Sequence, residues 1–162
     1  MTETDTKRPG KIPGQGRVAG IDFGTVRIGL AITDRERLIA SPYEIYTRRS
    51  ERLDADYFRR FVEQERIVGF VLGLPLHCDG RISSKAEEAF RFAEWLRTLT
   101  GLETEFMDER YTSVLAHEYL REAKMTQKQR KARIDKIAAQ IILATWLERG
   151  CTGTTEYEAL DD

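Results

Sequence analysis

The stretch "VAGIDFGTVRIGLAITD", Val18 to Asp34, holds two short apolar runs, Val18–Phe23 and Ile28–Thr33, separated by Gly24-Thr25. Apolar and β-branched residues bounded by turn formers read as strands, and so short a connection joins them antiparallel. A third run, about Leu38–Tyr46, follows Asp34-Arg35 and completes a three-stranded meander. The first run ends in an aspartate. A carboxylate among apolar neighbours is costly unless it is paired, hydrogen-bonded or bound to a cation. Asp22 is therefore a turn residue, or something positive comes to meet it.

Outward from this meander the periodicity changes. "ERLDADYFRRFVEQE" sets Leu53, Tyr57, Phe58, Phe61 and Val62 at helical spacing. "IVGFVLGLP" is an almost unbroken apolar run stopped by Gly73 and Pro75, as a strand buried on both faces would be. Ser84-x-x-Glu87 reads as a capping box opening a second helix, with Ala86, Ala89, Phe90, Ala93 and Leu96 on one side and Gly101 at its end. A strand at about Glu103–Met107 runs into "DERYTS", and a third helix is expected near Thr112. Thr126-x-x-Gln129 is a further capping box, whose helix runs to about Arg149 before Gly150. Strands alternating with helices imply right-handed parallel crossovers. The expected class is α/β, with a mixed five-stranded sheet flanked by helices. One domain, 17–150, is expected between a flexible polar tail, 1–16, and a short acidic tail, 151–162.

Composition narrows the function classes. Apolar residues make up 41% of the 162 and charged residues 33%, and no apolar run approaches a membrane span. No export signal opens the chain, so a cytoplasmic address and no membrane partner are expected. Cys78 and Cys151 offer neither a disulfide framework nor metal spacing. A net charge of −1 argues against a generally basic nucleic-acid coat protein, so charge must be sought locally. "KMTQKQRKAR", Lys124 to Arg133, supplies it, with five basic residues and no acidic one.

Three carboxylate positions fall at compatible places. Asp22 ends the first strand and Asp108-Glu109 the last, and parallel strands would bring those ends to one edge. Asp135 lies in "RIDKIAAQIILATW", roughly 90° from the centre of a stripe formed by Ile134, Ile137, Ala138, Ile141, Ile142 and Thr145. Ala138 and Ala139 beside it are small enough for a close helix approach. Converging carboxylates repel unless protonated or bridged by cations. All-oxygen ligation suits Mg²⁺ or Mn²⁺ rather than zinc. Two such ions about 4 Å apart activate a water and stabilise the leaving oxygen of a phosphodiester. Taken singly, each acid reads as a turn residue, a loop charge or an ion-pair partner; their coincidence makes the site.

The four segments "GIDFGTVRIGLAITD", "VLGLPLHCDG", "DERYTS" and "IDKIAAQIILATWLE" together resemble the YqgF (RuvX) family, from about Arg17 to Arg149. The resemblance implies an RNase H-like fold and a nuclease. The expected substrate is small-subunit ribosomal RNA precursor, with a Holliday junction as the alternative. It implies Asp22, Glu109 and Asp135 as metal-binding catalytic residues, with Asp108 the alternative within the acidic pair. Tyr111 and Ser113 depart from the family's usual leucine and threonine. Ala132 stands where better-studied resolvases carry a second acid, which thins the metal shell.

Residues around these acids have two readings each. Thr25 and Arg27 could contact a phosphate or simply serve a tight hairpin, and Arg110 could hold a phosphate or offset local negative charge. Lys128, Arg130 and Lys131 form either a solvated face or a nucleic-acid contact rimming the site. Asp79 reads as a turn residue, His77 and His117 as surface side chains, and Trp95 and Trp146 as core. Two other classes compete. One is a sugar kinase or ATPase with an Asp-x-Gly-Thr phosphate hairpin, for which one domain is too few. The other is a non-catalytic RNA-binding assembly factor. Cutting a junction would favour a homodimer, whereas trimming RNA needs only a monomer.

Overall fold

The computed structural model describes residues 12–77, 79–110 and 126–153. The elements run β1 (Arg17–Asp22), β2 (Arg27–Thr33), β3 (Ala40–Thr47), α1 (Glu51–Glu65), β4 (Ile67–Leu74), α2 (Ser84–Thr100), β5 (Glu103–Asp108) and α3 (Gln127–Glu148). The sheet order is β3-β2-β1-β4-β5. β1 pairs antiparallel with β2, and β2 with β3, while β1–β4 and β4–β5 are parallel. Four strands therefore point one way and β2 the other, which is the mixed five-stranded sheet expected from the strand-helix order. The helix expected near Thr112, together with His117 and Cys78, lies outside the described residues.

Alternation along the strands sorts the sheet into two faces. Ala19, Ile21, Phe70 and Leu72 face α1 and α2, where Phe58, Phe61, Phe92 and Leu96 complete one core. Val18, Ala31, Val71 and Met107 face α3, where Ala139, Ile142, Leu143 and Trp146 complete the other. Trp95 packs at the margin of the first core and Trp146 is fully buried in the second.

Gly20 brings α3 close. A Cβ there would stand 2.8 Å from the Ala139 carbonyl oxygen and from Leu143 Cβ. The small residues expected to allow close approach do so, yet they also move the stripe. Ile141 and Thr145 are buried, but the line of closest packing is Ala139–Ile142–Leu143–Trp146, one residue out of phase with the expected stripe.

The caps carry another correction. α2 starts one residue earlier than its expected capping box: Ser83 is the N-cap, its Oγ accepting from Ala86 N at 3.0 Å. Ser83 also donates to the Pro75 carbonyl, which ties the helix start to the end of β4. Gly101 ends α2 in the left-handed conformation, as expected. In α3 the Thr126/Gln129 box is reciprocal, at 3.2 and 3.0 Å.

The flanks also differ from the expected tails. Ile12, expected in a mobile polar segment, is buried against Gly69, and its N–H donates to Glu105 Oε2 at 3.3 Å. Glu105 Oε1 accepts from Trp146 Nε1 and from Gly153 N, so β5 anchors both flanks. Among the described residues no helix is long and apolar enough to cross a membrane.

Candidate functional site

Because β1, β4 and β5 are parallel, Asp22, Leu74 and Asp108 end at one edge of the sheet, and Leu74 lies in register with Asp108. The fold then separates the acidic pair. Glu105 and Met107 face α3, and Glu109, in the helical turn after β5, lies on the same face, over Gly73 beside Ile142. Asp108 has the parity of Phe106, which packs toward α1 and α2. Asp22 shares the parity of Val18 and Gly20 and therefore lies on the α3 side with Glu109.

Two glycines open the space there. A Cβ on Gly29 would lie 3.5 Å from Asp22 Cβ and 3.7 Å from Ala139 Cβ. A Cβ on Gly73 would lie 2.5 Å from both Glu109 Oε1 and Ile142 Cδ1. The Glu109 carboxylate thus rests over the bare backbone of β4, between β5 and α3. Position 135 lies on α3 one turn before Ala139; its side chain lies outside the description.

The electrostatics follow from that crowding. Burial, then the negative field of Asp22, then that of Asp108 push the Glu109 carboxyl up to about 7, against a weaker pull from Lys85. A buried carboxylic acid that holds its proton near neutrality beside other carboxylates is an arrangement that a cation would relieve. Lys85, exposed in the first turn of α2, escaped the sequence reading because nothing local ties it to Glu109.

Asp108 takes a different part. It is fully buried, its Oδ1 accepts from Arg110 N at 2.9 Å, and its Oδ2 accepts from Arg110 Nε at 2.8 Å and Nη2 at 2.5 Å. Arg110, read as holding a phosphate or offsetting local negative charge, is brought to Asp108 and shapes the turn that presents Glu109. Thr25 and Arg27 stand exposed in the β1–β2 connection at the Asp22 edge, where Gly24 packs beneath the Arg27 carbonyl. Lys128 is exposed in the first turn of α3; the side chains of Arg130 and Lys131 lie outside the description. Asp79 is a turn residue, its Oδ1 accepting from Arg81 N at 2.9 Å.

A brace behind Asp22 was not anticipated. Asp54, 2% exposed, accepts from Tyr46 Oη at 2.6 Å and Arg49 N at 2.9 Å. It also pairs with Arg48 Nε at 3.4 Å. The Arg48 guanidinium lies over the rings of Phe23 and Phe92, 5.3 and 5.9 Å from their centroids. This fixes the residue next to Asp22. The apolar positions of α1 flank Asp54, so the helical pattern hid it.

The donors at the edge are carboxylate oxygens, the chemistry of a hard divalent cation. Among the described residues no three His, Cys, Asp or Glu side chains are grouped to hold a metal. The described part of the site is the facing pair Asp22 and Glu109.

Comparison with known proteins bears on this edge. The sequence profile of the RuvX family, described as "Holliday junction resolvase", matches residues 16–149. A protein of Rhodopirellula baltica bearing the name "Putative pre-16S rRNA nuclease" is 42% identical over 172 residues, covering 100% of this chain and 99% of its own. A protein of Koribacter versatilis with the same name is 41% identical, covering 83% of this chain and 88% of its own. The solved structure "T. thermophilus RuvC in complex with Holliday junction substrate" matches with a TM-score of 0.50 at 14% identity, over 83% of this chain and 96% of that one. At that identity the likeness supports the fold alone, and the fold is the RNase H-like one expected.

Proposed function

We propose, since this chain belongs to the RuvX family, that it is a divalent-cation-dependent nuclease whose substrate is the precursor of small-subunit ribosomal RNA. The observation that carries the reading is the meeting of Asp22 and Glu109 on the α3 face of one sheet edge, with Glu109 pushed up to about 7 by burial and by the Asp22 and Asp108 carboxylates. Asp135 supplies the third carboxylate from α3. The choice of substrate rests on the name borne by relatives that align over most or all of the chain.

Mg²⁺ or Mn²⁺, as two ions, would supply an activated water and stabilise the leaving oxygen. The protein's own contribution is to hold Asp22, Glu109 and Asp135 at fixed places for them. Asp22 is positioned by the β1–β2 and β1–β4 ladders and by Phe23 under Arg48, and Glu109 by the Asp108–Arg110 turn and the bare backbone at Gly73. Thr25 and Arg27 present a hydroxyl and a guanidinium at the same edge to orient the scissile phosphate.

The family description favours a second substrate, the four-way DNA junction, so the test uses both. Purified protein and its Asp22→Asn and Glu109→Gln variants are incubated with precursor RNA and with junction DNA in Mg²⁺ or Mn²⁺. Cleavage of precursor RNA by the wild type, lost in both variants, is the expected result. Cleavage confined to the junction moves the assignment to a resolvase. Equal cleavage by wild type and variants removes the enzyme, leaving a non-catalytic RNA-binding factor.

A further inference from the structure

At the opposite edge of the sheet, where β1 and β4 begin, a cleft of about 390 Å³ is lined by Gly16, Arg17, Arg35, Gln64, Glu65, Arg66 and Val68. It lies five residues along β1 from Asp22, roughly 17 Å at strand rise, and shares no residue with that site. Three arginines line it against one carboxylate. That carboxylate, Glu65, is already engaged by Arg17 Nη1 at 3.3 Å. Among the described residues the guanidinium groups of Arg35 and Arg66 have no ion-pair partner, and both are exposed at the cleft. The floor is apolar backbone and aliphatic surface, with Gly16 seated directly on Val68.

Two features show that the rim is built. Arg66 caps α1 in the left-handed conformation, φ 54°, a place that glycine ordinarily takes. Retaining arginine there costs on the order of 1 kcal/mol of backbone strain, and a strained backbone at a surface cleft is where a ligand contact is sought. Arg37, also left-handed at φ 59°, reaches back to donate to the Gly16 carbonyl at 2.9 Å and to the Pro13 carbonyl. That clasp holds the 13–16 segment as one wall.

We propose that this cleft is a second, non-catalytic anion site that takes a phosphate group between Arg35 and Arg66. Guanidinium groups with no ion-pair partner among the described residues give a phosphate charge-assisted hydrogen bonds. The volume suits a single nucleotide unit. The phosphate comes either from a free mononucleotide or from the backbone of a bound nucleic acid. The proposal does not depend on the nuclease reading, because none of its residues lies at the carboxylate edge.

The test titrates inorganic phosphate, a mononucleotide and an RNA hairpin into the full chain, followed by amide chemical shifts and calorimetry. Four proteins are compared: wild type, Arg35→Ala/Arg66→Ala, Arg66→Gly and Asp22→Asn. Arg66→Gly keeps a left-handed cap while removing the guanidinium, so it separates the ligand contact from the helix end and should keep the wild-type Tm or raise it slightly by relieving the strain. The expected result is saturable phosphate binding with shifts at Gly16, Arg35 and Val68, weakened roughly tenfold or more in the double variant. Arg66→Gly should weaken it in part, and Asp22→Asn should leave it unchanged. If the hairpin also weakens and its salt slope falls by roughly one to two, the source is a nucleic-acid backbone. If only phosphate and the mononucleotide weaken, it is a free small anion. Unchanged affinity for all three ligands in the double variant overturns the proposal, as does phosphate binding with no shift at the cleft.

Discussion

Glu109 Oε1 occupies the place that a side chain on Gly73 would need, 2.5 Å from where its Cβ would be. The acid at the end of β5 is thus located by what β4 lacks. Gly73→Ala should push Glu109 and the Ile142 tip aside. Both are ends of flexible side chains, so the stability cost should stay at about 1–2 kcal/mol. Displacing a catalytic group by an ångström costs on the order of 10²-fold in rate. The variant should therefore melt close to wild type while its nuclease activity falls by about that factor, read by thermal unfolding beside a cleavage assay.

The Glu109 proton makes stability depend on pH. Its carboxyl titrates near 7 in the fold against an ordinary value of 4.5, so between these values the folded state holds a proton the unfolded chain has released. A raised carboxyl weakens the fold as pH climbs from about 4.5 through 7. At pH 8 this amounts to about 3 kcal/mol. Glu109→Gln should therefore raise the Tm at pH 8 in metal-free buffer, by roughly 6–10 °C. At pH 4 the two proteins should melt together. Mn²⁺ should stabilise the wild type at pH 8 and the variant far less. Equal pH profiles in the two proteins would show that Glu109 does not face Asp22.

Asp108 and Glu109 are neighbours in the chain with opposite expected phenotypes. Removing the Asp108 charge leaves Arg110 with a weakened partner beneath a fully buried position, at a cost of about 2–4 kcal/mol. Asp108→Asn should lower the Tm at pH 7 and retain Mn²⁺ binding when folded. Glu109→Gln should keep or raise the Tm and lose Mn²⁺ affinity by calorimetry. The reverse pattern would make Asp108 the ligand.

How far the sequence carries depends on whether the signal is local. The α1 range, the meander and the β4 run are local, and they appear as read. The separation of Glu109 from Asp108 is not local in that sense, because Glu109 lies past the end of β5 in a helical turn. The α3 stripe was legible in part: Ile141, Ile142 and Thr145 are buried as read, while the isoleucine pattern hid a second line, Ala139, Leu143 and Trp146, that packs against the sheet with Ile142. That line is set by Gly20, on a strand more than a hundred residues away. Lys85 near Glu109, Arg48 over Phe23 and the pair Arg35 and Arg66 likewise come together only through the fold.

The start of α2 offers a direct check on cap assignment. Ser83 accepts from Ala86 N and donates to the Pro75 carbonyl, whereas Ser84 is exposed in the first turn. Ser83→Ala should cost about 1–2 kcal/mol, and Ser84→Ala should stay within about 0.5 kcal/mol of wild type. Chemical denaturation of the two variants decides it. A larger loss in Ser84→Ala would restore the cap to the residue that the sequence pattern suggests.

The basic run at the start of α3 is the remaining charged feature near the carboxylate edge. Ala139 lies over Gly20 and Gly29, and Trp146 reaches Glu105, so α3 runs antiparallel to β1 with its N-terminus beyond the Asp22 edge. Lys128 is seven residues before position 135, which carries it roughly 10 Å further out along the helix axis. A run held there would meet flanking phosphates and not the scissile one. Replacing Lys128, Arg130 and Lys131 by alanine should therefore weaken RNA binding with little change in kcat. The slope of log affinity against log salt should flatten by about two to three for duplex contacts. Band shifts at several salt concentrations, set beside saturating-substrate cleavage, separate the outcomes. An unchanged slope returns the run to a solvated helix face, and a lost kcat at unchanged slope places it inside the reacting site.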